Sequence, residues 1–249
     1  MPKNPDTTTS SKSSSKARPL ALVAAVAVAA ALLGTVSYTA TRPEPRTDSS
    51  RQETAAGQQP DDATAHLAKL ARRDADDRLA QGRADAPVVL IEYADFKCGY
   101  CGKFARDTEP GLVKKYVDEG VLRIEWRNFP IFGAESEAAA RAAWAAGQQG
   151  RFWEFHRAAY AEGVKERGFA AGRLDALARE AGVDDLDRFR TDRDSAAARA
   201  AVKKDQSEAY ALGATSTPSF LVNGQPIAGA QPDAAFEQVI EAAKARAAR

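Results

Sequence analysis

Apolar and polar positions change their period several times along the chain, and each change marks an element. Leu20 to Ala40 has no charge and is mostly Ala, Val and Leu. At about 1.5 Å per residue, such a run is just long enough to cross the hydrocarbon core of a bilayer. Residues 1–19 before it are rich in Ser, Thr, Lys and Pro, lack an apolar period and read as a disordered tail. Thr41 to Pro60 reads as a linker. Asp62 to Gln81 has a weak helical repeat (Leu67, Leu70, Leu79) that predicts a short helix or arm, with His66 as a surface residue. Val88-Val89-Leu90-Ile91-Glu92-Tyr93 is apolar and β-branched, the pattern of a buried strand. Phe104, Leu112, Val113 and Tyr116 recur at helical spacing, and Gly120 supplies a C-cap. Val121 to Arg127 alternates and predicts a second strand, closed by Phe129-Pro130. Such a β–α–β unit is parallel and right-handed.

From Glu135 to Leu212 the pattern is helical throughout. Segments near Glu135–Gln148, Arg151–Ala161, Arg173–Ala181 and Asp192–Leu212 are separated by glycines. Trp144, Phe152, Trp153 and Phe155 read as core, with His156 packed beside them, and Arg188–Asp194 reads as a solvated helix face. Thr217 to Val222 returns to strand, and Asn223-Gly224 is a two-residue hairpin signal. Pro226 in the returning strand cannot donate to a ladder and places that strand at a sheet edge. Pro232 to Ala247 predicts a closing helix with Phe236, Val239 and Ile240 on one face.

Charge alters this picture in two places. Net charge is +1 over 249 residues, which gives no reason to expect a nucleic-acid partner. Lys3, Lys12, Lys16 and Arg18 precede the long apolar run, while Arg42, Arg46 and Arg51 follow it with Glu44 and Asp48 interspersed. This slight excess favours an N-terminus on the cytoplasmic side. An uncleaved signal anchor is favoured over a cleaved signal peptide, because Tyr38 fits the −3 position before Ala40 poorly.

The candidate chemistry lies in Cys98 and Cys101, the chain's only cysteines, two residues apart where a strand turns into a helix. Cys98 at the helix N-terminus faces free N–H groups and the positive end of the macrodipole, which lower a thiol pKa. Cys101, one turn on, is less exposed and close enough to form a disulfide with it. This predicts a thiol–disulfide exchange site. Two other readings stand beside it. Zinc requires about four ligands, and only His66 and His156 could join the two cysteines. A purely structural disulfide of so short a loop would constrain little of the unfolded chain. No metal and no cofactor is expected.

Four motifs occur in order: Tyr93-Ala94-Asp95-Phe96-Lys97-Cys98-Gly99-Tyr100-Cys101, Arg127-Asn128-Phe129-Pro130, Gly150-Arg151-Phe152-Trp153-Glu154-Phe155-His156 and Thr217-Pro218-Ser219-Phe220-Leu221-Val222-Asn223-Gly224. By these the globular part, roughly Ala80 to Ala247, resembles the DsbA-like family of thioredoxin-fold thiol–disulfide oxidoreductases, particularly its membrane-anchored bacterial members. The resemblance implies an α/β thioredoxin fold, β–α–β then β–β–α, over residues 81–249, with a helical insertion at about 133–212. An N-terminal transmembrane helix at 20–41 and a linker with a helical arm at 42–80 would precede it. By the same resemblance Cys98 is the exposed nucleophile, Cys101 resolves mixed disulfides, and Pro218 is a cis-proline beside the site. Thr217 would then pair with an extended substrate segment, with Tyr100 completing the substrate-contact set. Glu92 matches the family's buried acid that assists proton transfer, although by its residue type alone it reads equally as a solvent-facing strand position. The chain departs from the family between the cysteines, where Gly99-Tyr100 replaces the Pro-His often found in its oxidases. Thiolate stabilisation would then come mainly from the helix end, with Lys97 or Lys103 assisting, and the disulfide would be a moderate oxidant.

The function implied is an extracytoplasmic oxidase on a single-pass membrane anchor. It would transfer its disulfide to exported proteins with free thiols and be reoxidised by a membrane redox partner. Isomerase, client-specific reductase and non-catalytic interaction domain are the rival readings. The span from Thr41 to Gln81 is short and polar for the dimerisation domain that the related isomerases use.

Overall fold

The computed structural model of the protein describes residues 60–249. The expected tail and transmembrane anchor, and nearly all of the linker, lie outside them. Among the described residues no helix is long and apolar enough to cross a membrane.

A mixed five-stranded sheet organises these residues in the order β1-β3-β2-β4-β5. The strands are β1 (Ala80–Gln81), β2 (Val88–Ala94), β3 (Leu122–Asn128), β4 (Ser219–Val222) and β5 (Gln225–Ala228). β2 and β3 are parallel, with Leu90 opposite Ile124 and Glu92 opposite Trp126. β4 runs antiparallel to β2, and β5 antiparallel to β4. Asn223 and Gly224 both have positive φ (45° and 86°), as a tight hairpin turn needs. Pro226 lies on the edge strand, where its missing N–H leaves no ladder bond unmade.

The strand period of two assigns the faces. Val88, Leu90, Leu122 and Ile124 meet Phe104, Leu112, Tyr116 and the closing helix residues Phe236 and Ile240. Val89, Ile91, Tyr93 and Leu221 meet Ala209, Phe129 and the arm residues Leu67 and Leu70. Both faces of β2 are therefore buried. Glu92 is 0% exposed, and the solvent-facing alternative for it fails because helices cover both sides of the sheet.

The helices are α1 (Pro60–Ala68), α2 (Gly99–Lys103), α3 (Glu109–Leu112), α4 (Ala134–Gly147), α5 (Phe152–Tyr160), α6 (Ala171–Glu180), α7 (Leu186–Asp194), α8 (Ala196–Ala211) and α9 (Asp233–Ala247). Helix α2 begins at Gly99 with Cys98 as its N-cap, the helix N-terminus expected for that cysteine. Between Phe104 and Val117 two π turns, Phe104–Thr108 and Val113–Val117, interrupt regular helix. In them the Glu109 N–H reaches the Phe104 carbonyl and the Asp118 N–H reaches that of Val113. Helices α4 to α8 form the insertion, packed round Phe96, Trp126, Phe152, Phe155, Phe169 and Phe189. The single helix expected over Asp192–Leu212 is divided at Ser195, whose side chain caps α8 by accepting from the Ala198 N–H at 3.0 Å. The solvated-face reading of Arg188–Asp194 also needs correction, because Phe189 is fully buried and Arg193 nearly so.

Strand β3 departs further from its pattern. Alternation predicts a wet face, yet Arg123, Glu125 and Arg127 are all buried. Glu125 pairs with Arg123 Nε at 3.0 Å and with an Arg127 guanidinium nitrogen at 2.7 Å. It also accepts the backbone N–H groups of Arg72 and Arg73 at 2.9 and 2.8 Å. Burial pushes the Glu125 pKa up, but the Arg72 N–H, Arg127 and the Arg73 N–H outweigh it and bring the value down to about 2. The arm that follows α1 is thus clasped to the sheet by charge. Glu125→Ala strips the buried Arg123 of its carboxylate and leaves Arg127 only Glu208 at 3.3 Å and Asp77 at 4.0 Å. Urea unfolding of this variant should show a loss of about 3–5 kcal/mol, and a loss below about 1 kcal/mol would contradict the clasp.

Candidate active site

β2 delivers the chain into a turn that Asp95 holds. The Asp95 carboxylate is buried and accepts the Lys97 N–H at 2.8 Å, the Ile131 N–H at 2.7 Å and the Phe132 N–H at 3.2 Å. Its own carbonyl accepts the Cys98 N–H at 3.0 Å. One side chain therefore ties the turn before the cysteines to the loop after β3. This residue stands in the quoted motif, but its role depends on a contact more than thirty residues away, which spacing cannot report.

Cys98 is the N-cap of α2, with extended backbone (φ −75°, ψ 120°). Its sulfur accepts the Cys101 N–H at 3.4 Å, and its thiol donates to the Thr217 carbonyl at 3.2 Å. Neither cysteine is in a disulfide. Cys98 is 5% exposed and Cys101 0%, so the expected exposed nucleophile is instead recessed. The Thr217 loop covers it from one side, and the other side opens on a cavity of ≈ 230 Å³ bordered by Gly99, Gly102, Arg106, Tyr160 and Lys165. The Thr217–Pro218 peptide is cis. Tyr100 points outward and is 69% exposed.

The two sulfurs differ in acidity. Hydrogen bonding from Cys101 is the largest influence on Cys98; together with Thr217 and the Cys101 and Tyr100 N–H groups it overcomes burial and brings the pKa to about 6. Burial, reinforced by the neighbouring Cys98, holds the Cys101 thiol well above its usual value. Burial likewise raises Glu92 well above the carboxylate range, with Glu109 and Cys98 adding to it.

Neither Lys97 nor Lys103 is free to serve the thiolate. Lys97 is paired with Glu135 at 2.5 Å and Lys103 with Asp107 at 2.7 Å. The insertion brings a further cation to the first turn, Lys165, which lies 3.6 Å from Glu166 and whose Nζ would be 3.2 Å from a Cβ on Gly99. Nothing in the sequence near the cysteines announces Lys165. Among the described residues no cluster of three or more His, Cys, Asp or Glu is placed to hold a metal, and His156 is enclosed by aromatic rings.

A family model described as thioredoxin matches residues 74–242. A probable disulfide bond formation protein D from Bacillus cereus is 32% identical over 148 residues, covering 57% of this chain and 68% of that protein. The crystal structure of α-DsbA1 from Wolbachia pipientis superposes with a TM-score of 0.59 at 25% identity, covering 68% of this chain and 92% of the other. The chain belongs to the DsbA-like thioredoxin-fold oxidoreductases. A sodium/proton antiporter, NhaA 3 of Salinispora tropica, is 35% identical over 155 residues, but the match covers only 22% of the antiporter against 61% of this chain. In this DsbA-like domain one stretch of chain carries Glu92 and the Cys98–Cys101 turn, and the Thr217–Pro218 loop meets it from more than a hundred residues on.

His156, 0% exposed, gives this site a pH signature. Burial and the nearby Arg157 lower its pKa from 6.5 to about 3, so it stays neutral in the folded protein. Its contribution to stability is whole above pH 6.5 and drains as pH falls toward 3, because only the unfolded chain takes up the proton. The fall in urea midpoint between pH 7 and pH 5 should shrink in His156→Phe. An unchanged fall would place the acid sensitivity elsewhere.

Proposed function

We propose that this protein is an extracytoplasmic thiol–disulfide oxidoreductase that introduces disulfides into exported proteins through Cys98 and Cys101. The observation that carries this reading is the contrast between the two sulfurs. Cys98, recessed but bordering a cavity, has a pKa of about 6, whereas Cys101 is sealed and held as a thiol. In the oxidised form a substrate thiolate attacks Cys98, the Cys98–Cys101 bond breaks, and Cys101 leaves and takes up a proton. A second substrate thiolate then displaces Cys98 as a stable thiolate and closes the substrate's disulfide. Stabilising the released thiolate makes the enzyme's own disulfide oxidising.

Thr217 presents its backbone beside Cys98, so an extended substrate segment there would add to the sheet, flanked by Pro218 and the exposed Tyr100. Residues 20–41 would anchor the domain, and a membrane redox partner would restore the Cys98–Cys101 disulfide. The protein D relative supports the disulfide-forming direction by its name.

Alkylation by iodoacetamide should report one reactive thiol whose rate rises with a midpoint near pH 6, with Cys101 unreactive until the chain unfolds. Cys98→Ser should abolish exchange, and Cys101→Ser should accumulate mixed disulfides with exported clients. The reduction potential should lie above that of thioredoxin, about −270 mV, and below the about −120 mV of the strongest oxidants. A potential at or below that of thioredoxin, or a protein found in cells mainly as the dithiol, would favour a reductase.

A further inference from the structure

Behind the dithiol lies a set of buried polar groups that the exchange steps leave unused. Glu109, on α3, is 5% exposed. Its carboxyl accepts a hydrogen bond from the Gln81 amide at 3.0 Å, and its other oxygen lies 3.7 Å from His156 Nδ1. Both oxygens of Glu92, both ring nitrogens of His156, Trp153 Nε1 and Tyr160 Oη are buried with no hydrogen-bond partner. Glu92 stands opposite Trp126 across β2 and β3, and the Trp126 and His156 rings are 5.1 Å apart. A Cβ on Gly102 would meet the Tyr160 ring at 3.4 Å, beside the cysteines. The Tyr160 and His156 rings are 4.9 Å apart, and those of His156 and Trp153 5.2 Å. Gln81, Glu109, Trp153 and His156 then line a cavity of ≈ 260 Å³ that also touches Lys114, Asp118 and Arg157. Unpartnered buried atoms are costly unless water satisfies them, and a cavity of this size bordered by Gln81, Glu109, Trp153 and His156 accommodates water within reach of the last two.

We propose that Glu109, beside the neutral His156 imidazole, carries protons between Glu92 and solvent through this second cavity, on a route separate from the opening at Cys98. The inference rests on the exchange reading of the cysteines. During reoxidation Cys98 attacks the partner's disulfide, and Cys101 must then resolve the mixed disulfide. Its S–H bond breaks, its electron pair attacks the Cys98 sulfur, the Cys98–Cys101 bond forms, and the partner leaves as a thiolate. The proton passes to Glu92. Glu92 is itself held protonated by burial, so it accepts that proton only by passing its own onward. Glu109 is the next carboxyl, and burial sets its pKa at about 8, opposed by Arg157 and Gln81, so that it exchanges protons near neutral pH. In the oxidase direction the same protons run inward to Cys101. Glu109 touches no reacting atom and is a positioning residue that acts through Glu92.

The groups facing Glu109 are compatible with this role. Gln81 comes from β1, Glu92 from β2, His156 and Arg157 from α5, and Lys114 and Asp118 from its own helical run. On the side packed by α9, Thr108 bonds to Asp233 at 2.6 Å and Lys115 pairs with Glu237 at 2.9 Å, while the buried Tyr116 hydroxyl has no partner.

The test uses the full chain loaded at Cys98 with thionitrobenzoate as a mixed disulfide. Release of the coloured thiol by Cys101 is followed in stopped flow across pH 5 to 9. In Glu109→Gln, release at neutral pH should slow roughly tenfold, less than the hundredfold or more expected for a proton acceptor at the reacting atom. The inflection near pH 8 should vanish, while the Cys98 thiolate still titrates near 6. A folded Glu109→Gln with the wild-type pH profile overturns the relay and leaves the exchange reading intact. A wild-type chain that never releases the probe overturns the exchange reading, and the relay with it. Should Glu109→Gln fail to fold, Glu109→Asp under the same measurements decides: slower release with a displaced inflection supports the route, and a wild-type profile overturns it.

Discussion

The amide of Cys101 reaches back across one helical turn to the sulfur of Cys98, and the geometry around it serves that contact. A sulfur at an N-cap is solvated by backbone donors that cannot turn away, so its anion is stabilised without a neighbouring imidazole. The contact requires the chain to leave β2 and enter α2 without slack. Asp95 secures this by binding three N–H groups from both sides of the turn. Thr217 closes the arrangement from β4's approach. The second sulfur lies one turn deeper, where the same packing makes ionisation unfavourable. A single stretch of four residues thus holds two sulfurs of contrasting acidity.

The low dielectric that distinguishes the sulfurs acts on every charged group nearby, with different outcomes. On one face of β3 Glu125 meets two guanidinium groups and two backbone donors, and stays ionised. Under the dithiol Glu92 meets none, and remains protonated. Replacing a buried ion pair by apolar side chains is often neutral in stability, whereas removing one partner is severe. The Glu125 cluster joins the backbone of the arm to two buried guanidinium groups of β3 through one carboxylate. The same sheet keeps one carboxylate charged and one carboxyl neutral.

Much of this was legible in the chain. β-branched runs, the Asn223-Gly224 turn and the edge Pro226 are local signals, and the sheet follows them. The Cys-x-x-Cys pair at a strand-to-helix junction likewise carries its meaning in four residues. Other features were not legible, for reasons that differ. β3 alternates as a half-wet strand should, and only the distant Arg72 and Arg73 backbone shows why charged side chains are buried there. Lys97 and Lys103 sit beside the cysteines in sequence but are engaged by Glu135 and Asp107, while Lys165, far along the chain, reaches the first turn. Glu109 follows an ordinary helical surface pattern, Arg106-Asp107-Thr108-Glu109, and turns inward only because the helix is not regular.

That irregularity has an evolutionary consequence. Each π turn accommodates a residue more than an α-helix of the same length would, and one residue of phase amounts to about 100° of rotation. Glu109 follows the first widened turn and Tyr116 lies within the second, so their orientation depends on where those extra residues were accepted. A lineage that trimmed one amino acid between Phe104 and Thr108 would swing the downstream half of the rod round. Its cysteines would be untouched, yet a different set of side chains would look in on them. Indels in this short span are therefore a route by which relatives with identical catalytic motifs could acquire different interiors.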